Sequence, residues 1–535
     1  MDLGASVGLS LRADEVAGVR SDLEAMPESP EVQMALGMMD YLEADFELAR
    51  RRLEAAYLGF QADGRGRRAA VAAAHLARLA LAGIGNTVVA AGWLARAERV
   101  LGDDDCVERG WLALYRIACS RPDAEGLERD AMLALDLARR FGDCDLECLA
   151  LADSGLALVS RGRLGEGMAR IDEALTMAVS GECDNVMVTS LAQCSFISAC
   201  DRTGDLPRME GWLPEVVADP STPLVMTNHC RTAYGSLLCR AGRWSEADEQ
   251  LRASMTMSRH FSQVVDATAE LADLRLQQGR LADAARLLDG IESAPEALPV
   301  LARLHQARGD HDLAAATARS AMQEYRGDVL RGVRLHLLVV ESELARGRLA
   351  EARQALDVMR SNVAGLGTNA VRARLAVAEA AVATAEGRPE EAARILTTAL
   401  GELGRGWPLL SAECRLALAT VLAGTDRTAA ITEARRILAE TRSGESTLRL
   451  RAQTLLQELG APSGDGSPAS PSCLSARERE VLGLLGEGLS NPEIARRLVI
   501  SPRTAEHHVA AVLRKLHLRN RREAIVYAAT LAQPG

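Results

Sequence analysis

The stretch from Leu474 to Leu518, LSAREREVLGLLGEGLSNPEIARRLVISPRTAEHHVAAVLRKLHL, holds three helix starts in close succession. Ser475 followed by Glu478, and Ser490 followed by Glu493, have the spacing of a capping box. The hydroxyl accepts a free backbone N–H and the carboxylate accepts the one at the cap. Ser501 before Pro502 supplies the third start, a capping hydroxyl with proline at the first helical position. Gly486 and Gly488 end the first helix, and only Val499 and Ile500 part the second from the third. Two helices joined by so short a turn make a helix-turn-helix, whose second helix can enter a DNA major groove. Along that helix Val509, Val512, Leu513 and Leu516 recur on one stripe, which predicts a buried face. Arg503, Glu506, His507, Ala510 and Arg514 fall on the opposite side.

The pattern resembles the LuxR-type (response-regulator effector) helix-turn-helix family. The resemblance runs through Leu474, Arg477, Glu478, Glu480, Val481, Leu482, Gly488, Ser490, Asn491, Glu493, Ile494, Ala495, Leu498, Ile500, Ser501, Thr504, His508, Val509, Lys515, Leu516, Asn520 and Arg521, within the last 62 of 535 residues. It implies double-stranded DNA as partner, with Glu506, His507 and Ala510 in base-facing slots. It places Arg503, Thr504, His508, Arg514 and Lys515 at phosphates or groove edges. A fourth helix, capped by Asn520 with Glu523 and running to about Ala532, is implied as the seam of a homodimer through Ala524, Ile525, Ala528 and Leu531. Two positions depart from the family pattern. Ala505 stands where valine is usual, and Glu506 where a basic or polar residue is frequent. A carboxylate accepts from cytosine N4 but repels phosphates.

Charge supports this division of labour. The net charge is −11, yet residues 474–535 hold ten Lys+Arg against six Asp+Glu. A basic tail on an acidic body fits one end that meets nucleic acid and another that does not. Lys515 is the only lysine in the chain. That excludes a P-loop ATPase, a Schiff-base enzyme and a lysine-bearing receiver domain upstream of Leu474. No Ser-His-Asp order, paired acid or metal-ligand spacing stands out, so no enzyme, cofactor or metal is expected. Nine of the eleven cysteines fall between Cys106 and Cys239, among them Cys144/Cys148 and the neighbours His229-Cys230. Without a CxxC pair they read as small buried hydrophobes. No run of about 18 uncharged apolar residues predicts a membrane span. The first residues lack the basic start and apolar core of a signal peptide, so a cytoplasmic protein is expected.

Upstream, glycines recur at 162, 204, 242, 279, 309, 347, 387 and 424, five of them in the dipeptide GR. Five residues further on comes a small residue in seven of the eight cases, as in Gly167, Ala247, Ala284, Ala314, Ala352, Ala392 and Ala429; Met209 is the exception. Ile171, Leu251, Leu288, Leu356 and Leu396 follow nine after the glycine. Ala44–Ala49, Gly85–Ala90 and Arg121–Gly126 are weaker echoes. Glycine ends a helix in the left-handed region, and a small residue one turn into the next lets two axes approach. Periods of 30 to 50 residues mean a solenoid of helix pairs, here about ten. AGRWSEADEQL, QGRLADAARLL, RGRLAEARQAL and EGRPEEAARIL resemble tetratricopeptide repeats. With aromatics at only 3%, alanine and leucine must do the packing.

The expected fold is therefore all-α. Residues 1–30 form a lead-in and 31–459 a tetratricopeptide-like solenoid that receives a small-molecule or protein signal. Residues 460–473, GAPSGDGSPASPSC, make a flexible linker, and 474–535 the DNA-binding domain. The expected function is sequence-specific transcriptional regulation, tilted towards activation by the resemblance. The alternative is a solenoid adaptor whose DNA module has decayed.

Overall fold

The turns between repeat helices show why the glycines are spaced as they are. In the computed structural model Gly162, Gly204, Gly242, Gly279, Gly309, Gly347 and Gly387 all have φ between 71° and 84°. At Gly162 the N–H bonds to Val159 O (2.8 Å) and that of Arg163 to Leu158 O (2.9 Å), the paired bonds of a Schellman motif. The same pair recurs at Gly242, Gly279, Gly347 and Gly387 with the arginine that follows each. The arginine stands at the next N-cap without capping through its side chain, as at 163, 280, 348 and 388. At 163, 243, 280 and 388 the guanidinium makes ion pairs instead. Arg163 pairs with Glu166 one turn on and with Glu128 of the preceding repeat at 3.2 Å. Arg243 likewise joins Glu246 and Glu210. Thus GR stops a helix at each of these turns, and at 163 and 243 it also ties its repeat to the one before.

The eighth glycine differs from expectation. Gly424 does not take the left-handed conformation. There the N–H groups of Thr425 and Asp426 both return to Leu422 O, and Asp426 caps the next helix. One residue then shifts: Ala429 is half-buried and its neighbour Ala430 fully buried. Ala44, a weaker echo, takes φ 62° although it is not glycine. Residues 121–123 of the third echo lie outside the described residues.

The small residues do lie where helices meet. Ala247, Ala284, Ala314, Ala352 and Ala392 are completely buried, as are Ile171, Leu251 and Leu396. Gly155 and Gly167 face one another so closely that a Cβ on either would come 2.6 Å from the other's carbonyl oxygen. Met209, the exception in the pattern, is buried at the same place in its repeat.

The structure describes residues 16–532 apart from 121–123, 184, 218–223, 258–260, 326–327, 365, 367, 405–406, 442–445, 463–473, 517 and 519. Among them are twenty-eight helices and no strand. Twenty-three helices run from Pro30 to Glu458, eleven pairs and one more rather than ten. None of the described helices is long and apolar enough to cross a membrane.

The chain divides into two compact units, residues 1–388 with 398–410, and 389–397 with 411–535. Within the first, the array curls until distant repeats touch. Arg202 Nε reaches Asp328 at 2.8 Å, Leu366 covers Gly162, and the Trp407 ring lies on Gly204. The second unit contains the helix pair Arg427–Glu440 and Thr447–Glu458 and the four tail helices. Most of the expected linker, 463–473, lies outside the described residues.

Candidate nucleic-acid interface

The tail is built as its caps dictate. A scaffold helix, Ala476–Gly486, starts in a complete capping box: Glu478 N–H donates to Ser475 Oγ at 3.3 Å, and Ser475 N–H to Glu478 Oε2 at 2.7 Å. At the second helix, Asn491–Leu498, Ser490 Oγ donates to Glu493 Oε2 at 2.5 Å and Ser490 N–H at 2.7 Å, and these bonds, the hydroxyl's first, hold that carboxyl below its usual range. The third, Pro502–Lys515, is capped by Ser501, whose Oγ accepts from Thr504 N–H at 3.1 Å. A closing helix, Arg521–Ala532, begins where Asn520 Oδ1 accepts from Glu523 N–H at 3.0 Å.

Leu474, Val481, Leu482, Leu485, Ile494, Ala495, Ala505, Val509, Val512 and Leu516 form one core, with Leu498, Ile500 and Leu513 packed at its edge. The apolar stripe of the third helix thus faces inward. Ala505, the departure from the family pattern, is completely buried. On the other side Arg503, Thr504, Glu506, His507 and Ala510 are exposed and His508 half-buried. The Arg514 side chain lies outside the described ones. The structure therefore brings Glu506, His507 and Ala510, the residues expected to face bases, onto one exposed helix face.

Two assignments change in character. Lys515 Nζ donates to Glu478 Oε2 at 2.7 Å. This hydrogen bond, followed by those from Ser475, holds the Glu478 carboxyl at about 2. The only lysine therefore locks the third helix to the first turn of the scaffold helix. Secondly, the closing helix does not present all four seam residues. Ala524 is completely buried and Ala528 nearly so, and a Cβ on Gly486 would meet Ala528 Cβ at 2.8 Å. These two alanines serve the domain's own core, because a close helix crossing needs small residues on both sides. Ile525 is half-buried, and the Leu531 side chain is outside the described ones.

Sequence reasoning gave Arg521 no role, yet its Nη1 donates to Asn491 Oδ1 at 2.6 Å and its Nη2 to Leu489 O. It clamps the closing helix to the start of the second. Arg477 similarly donates to Leu498 O at 2.5 Å, across the domain. Neither contact is local, so no capping or periodicity signal could have shown them. Arg496 and Arg497, exposed in the last turn of the second helix, also went unassigned.

A three-helix core with a short turn and an exposed polar helix face defines a helix-turn-helix DNA-binding domain. Residues 472–528 match the family of bacterial regulatory proteins of the luxR type, and this part of the chain is a LuxR-type domain. Relatives agree. The DNA-binding transcriptional activator DevR/DosR of Mycobacterium tuberculosis is 35% identical over 100 residues, 18% of this chain and 45% of that one. The HTH-type transcriptional regulator MalT of Vibrio parahaemolyticus is 27% identical over 206 residues, 36% of this chain and 22% of that one. The chain thus spans less than half the length of these curated relatives. Among solved structures, one titled as the APC/C hetero-tetramer Cut9-Hcn1 has a TM-score of 0.49 at 16% identity, covering 84% of this chain and 92% of that one.

Proposed function

We propose that the protein is a sequence-specific transcriptional regulator, in which the tail reads DNA as a homodimer and the repeats receive a signal. The observation that carries the reading is the exposed row Arg503, Glu506, His507 and Ala510 on a helix whose other face is core. We divide the chain functionally at 459 and 474, with residues 460–473 as tether. Base edges are read from Glu506, His507 and Ala510, and phosphates are met by Arg503, Thr504, His508 and Arg514. The name of DevR/DosR, an activator, favours activation as the direction of control.

Selection of bound sites from a random DNA library with the full chain tests this. Enrichment of an inverted repeat with half-sites about one or two helical turns apart is expected for a dimer. No sequence preference, with the full chain or with residues 474–535, would end the proposal and leave the adaptor reading. With about five or six phosphate contacts, log affinity should fall against log salt with a slope near −5.

A further inference from the structure

The repeats of the first unit enclose a cavity of 620 Å³, the size of a small-molecule site. Its wall draws on helices Val186–Thr203, Leu224–Arg240, Phe261–Gln277, Leu298–Arg308, Val329–Ala345 and Asn369–Ala385. Six arginines and seven carboxylates line it, so it holds both signs of charge in near balance. A polyanion would meet as many carboxylates as guanidinium groups, and is disfavoured for that reason.

Several of these charges are satisfied by one another, as Arg202 is by Asp328 and Arg303 by Asp273. Two groups, Asp201 and Arg331, keep capacity for a ligand, and Glu270 shares their wall. Asp201 Oδ1 lies 3.1 Å from Arg240 Nη2, but no donor is aligned on it as a hydrogen bond. Burial pushes the Glu270 carboxyl up against the charge of Arg240, repulsion from Asp201 adds to the rise, and the hydrogen bond with Ser236 and the charge of Arg334 oppose it. Arg331 rests on the face of Tyr325, 5.1 Å from the ring centre, and reaches Asp328 only at 3.8 Å. Its side chain is 44% exposed, and its charge is felt by Asp201.

A carboxylate oxygen held only by a poorly aligned pair with Arg240 and a guanidinium with open N–H groups thus share one cavity, each within the other's field. We propose that this cavity binds a small zwitterion of the amino-acid class, its ammonium on Asp201 and Glu270 and its carboxylate on Arg331. The assignment deepens the signal-receiving reading of the repeats and rests on it. A charged network that served only to hold the repeats together would have no use for such a solute.

The test is calorimetric titration of the full chain with the free α-amino acids and a set of dipeptides. Each probe is compared with its N-acetylated and C-amidated forms. At least one free zwitterion should bind saturably, and blocking either end should weaken it by more than tenfold. Arg331→Gln should lose the same factor while keeping the parent's helical circular dichroism and thermal midpoint. Glu270→Gln should weaken the amidated and free forms alike. If Glu270→Gln does not fold, Arg331→Gln decides, since Arg331 is exposed and loosely paired. No saturable probe, equal binding of the blocked forms, or unchanged binding by Arg331→Gln would each overturn the proposal. The titration contains no DNA. A chain that selects an operator but binds no zwitterion keeps the regulator reading and loses this one; the converse result does the reverse.

Discussion

Val499 ends the second tail helix with φ 54°, a left-handed conformation in which a β-branched side chain crowds its own backbone. It is also 91% exposed, so it gains little from burial to offset the strain. Val499→Gly should stabilise the domain by about 0.5–1 kcal/mol, relief of strain exceeding the added chain entropy. Hydrogen exchange across residues 491–516 in the full chain should slow; faster exchange would refute the account. Glu478 acts in the opposite sense. Its carboxyl is held at about 2 by Lys515 and the cap, well below its usual 4.5. The stability it contributes is present above pH 4.5 and is lost as pH falls towards 2. Glu478→Gln should cost roughly 1 kcal/mol at neutral pH, the worth of a cap, and should flatten the acid side of the domain's stability profile. Asp153 illustrates the reverse sign. Burial pushes its carboxyl up to about 6, against the hydrogen bond from Ser195 at 3.0 Å and the charge of Arg78. The folded state then binds the extra proton, so this group's contribution falls as pH rises from 3.8 to 6. Asp153→Asn should remove that decline, measured as the thermal midpoint at pH 5 against pH 7.5.

At the level of elements, the repeat glycines fall into two kinds that look alike in sequence. Gly204 has φ 71°, and a Cβ there would overlap the Trp407 ring. Gly424 lacks positive φ and has open space around its missing Cβ. Gly204→Ala should lower the thermal midpoint and alter tryptophan fluorescence, with a loss of about 1–3 kcal/mol from strain. Gly424→Ala should be neutral or stabilising by up to about 1 kcal/mol. Equal effects at both sites would show that position in the repeat, and not conformation, governs the cost. In the tail, the closing helix makes the same point. The family resemblance implies a seam at Ala524 and Ala528, yet their spacing equally suits a crossing with the scaffold helix, which is where they lie. The half-buried Ile525 is the better probe of a dimer, and Ile525→Asp should weaken DNA binding cooperativity without unfolding the domain.

Across the whole molecule, charge is partitioned between a basic tail and an acidic remainder. Removing residues 474–535 should abolish DNA binding while leaving the repeat helices intact, as read by retention shift and circular dichroism. Within the first unit, Arg202 and Asp328 join parts of the chain 126 residues apart. Both are largely withdrawn from solvent, and removing Arg202 leaves Asp328 only the longer pair with Arg331 at 3.8 Å and its cap on that residue's N–H, a loss smaller than the about 3–5 kcal/mol of a fully broken buried pair. Arg202→Ala should therefore loosen the curled array, seen as faster proteolysis of the repeats. Unchanged proteolysis would mean that the apolar contacts at Gly162 and Gly204 suffice.

Sequence by itself determined what depends on near neighbours along the chain: the caps at Ser475, Ser490, Ser501 and Asn520, and the inward stripe of Val509 to Leu516. The left-handed glycines with their small partners belong here too, since hydrogen bonds within four residues and a fixed helical period decide them. The exposed polar face of the third tail helix was legible for the same reason, because it is simply the side opposite a buried stripe. Tertiary structure alone decided the rest. Lys515 goes to Glu478, Arg521 to Asn491, and Asp201 and Arg331 to one cavity. Each depends on how helices far apart in sequence come to lie side by side. An arginine's charge is visible in a sequence, but the carboxylate that answers it is chosen by the fold.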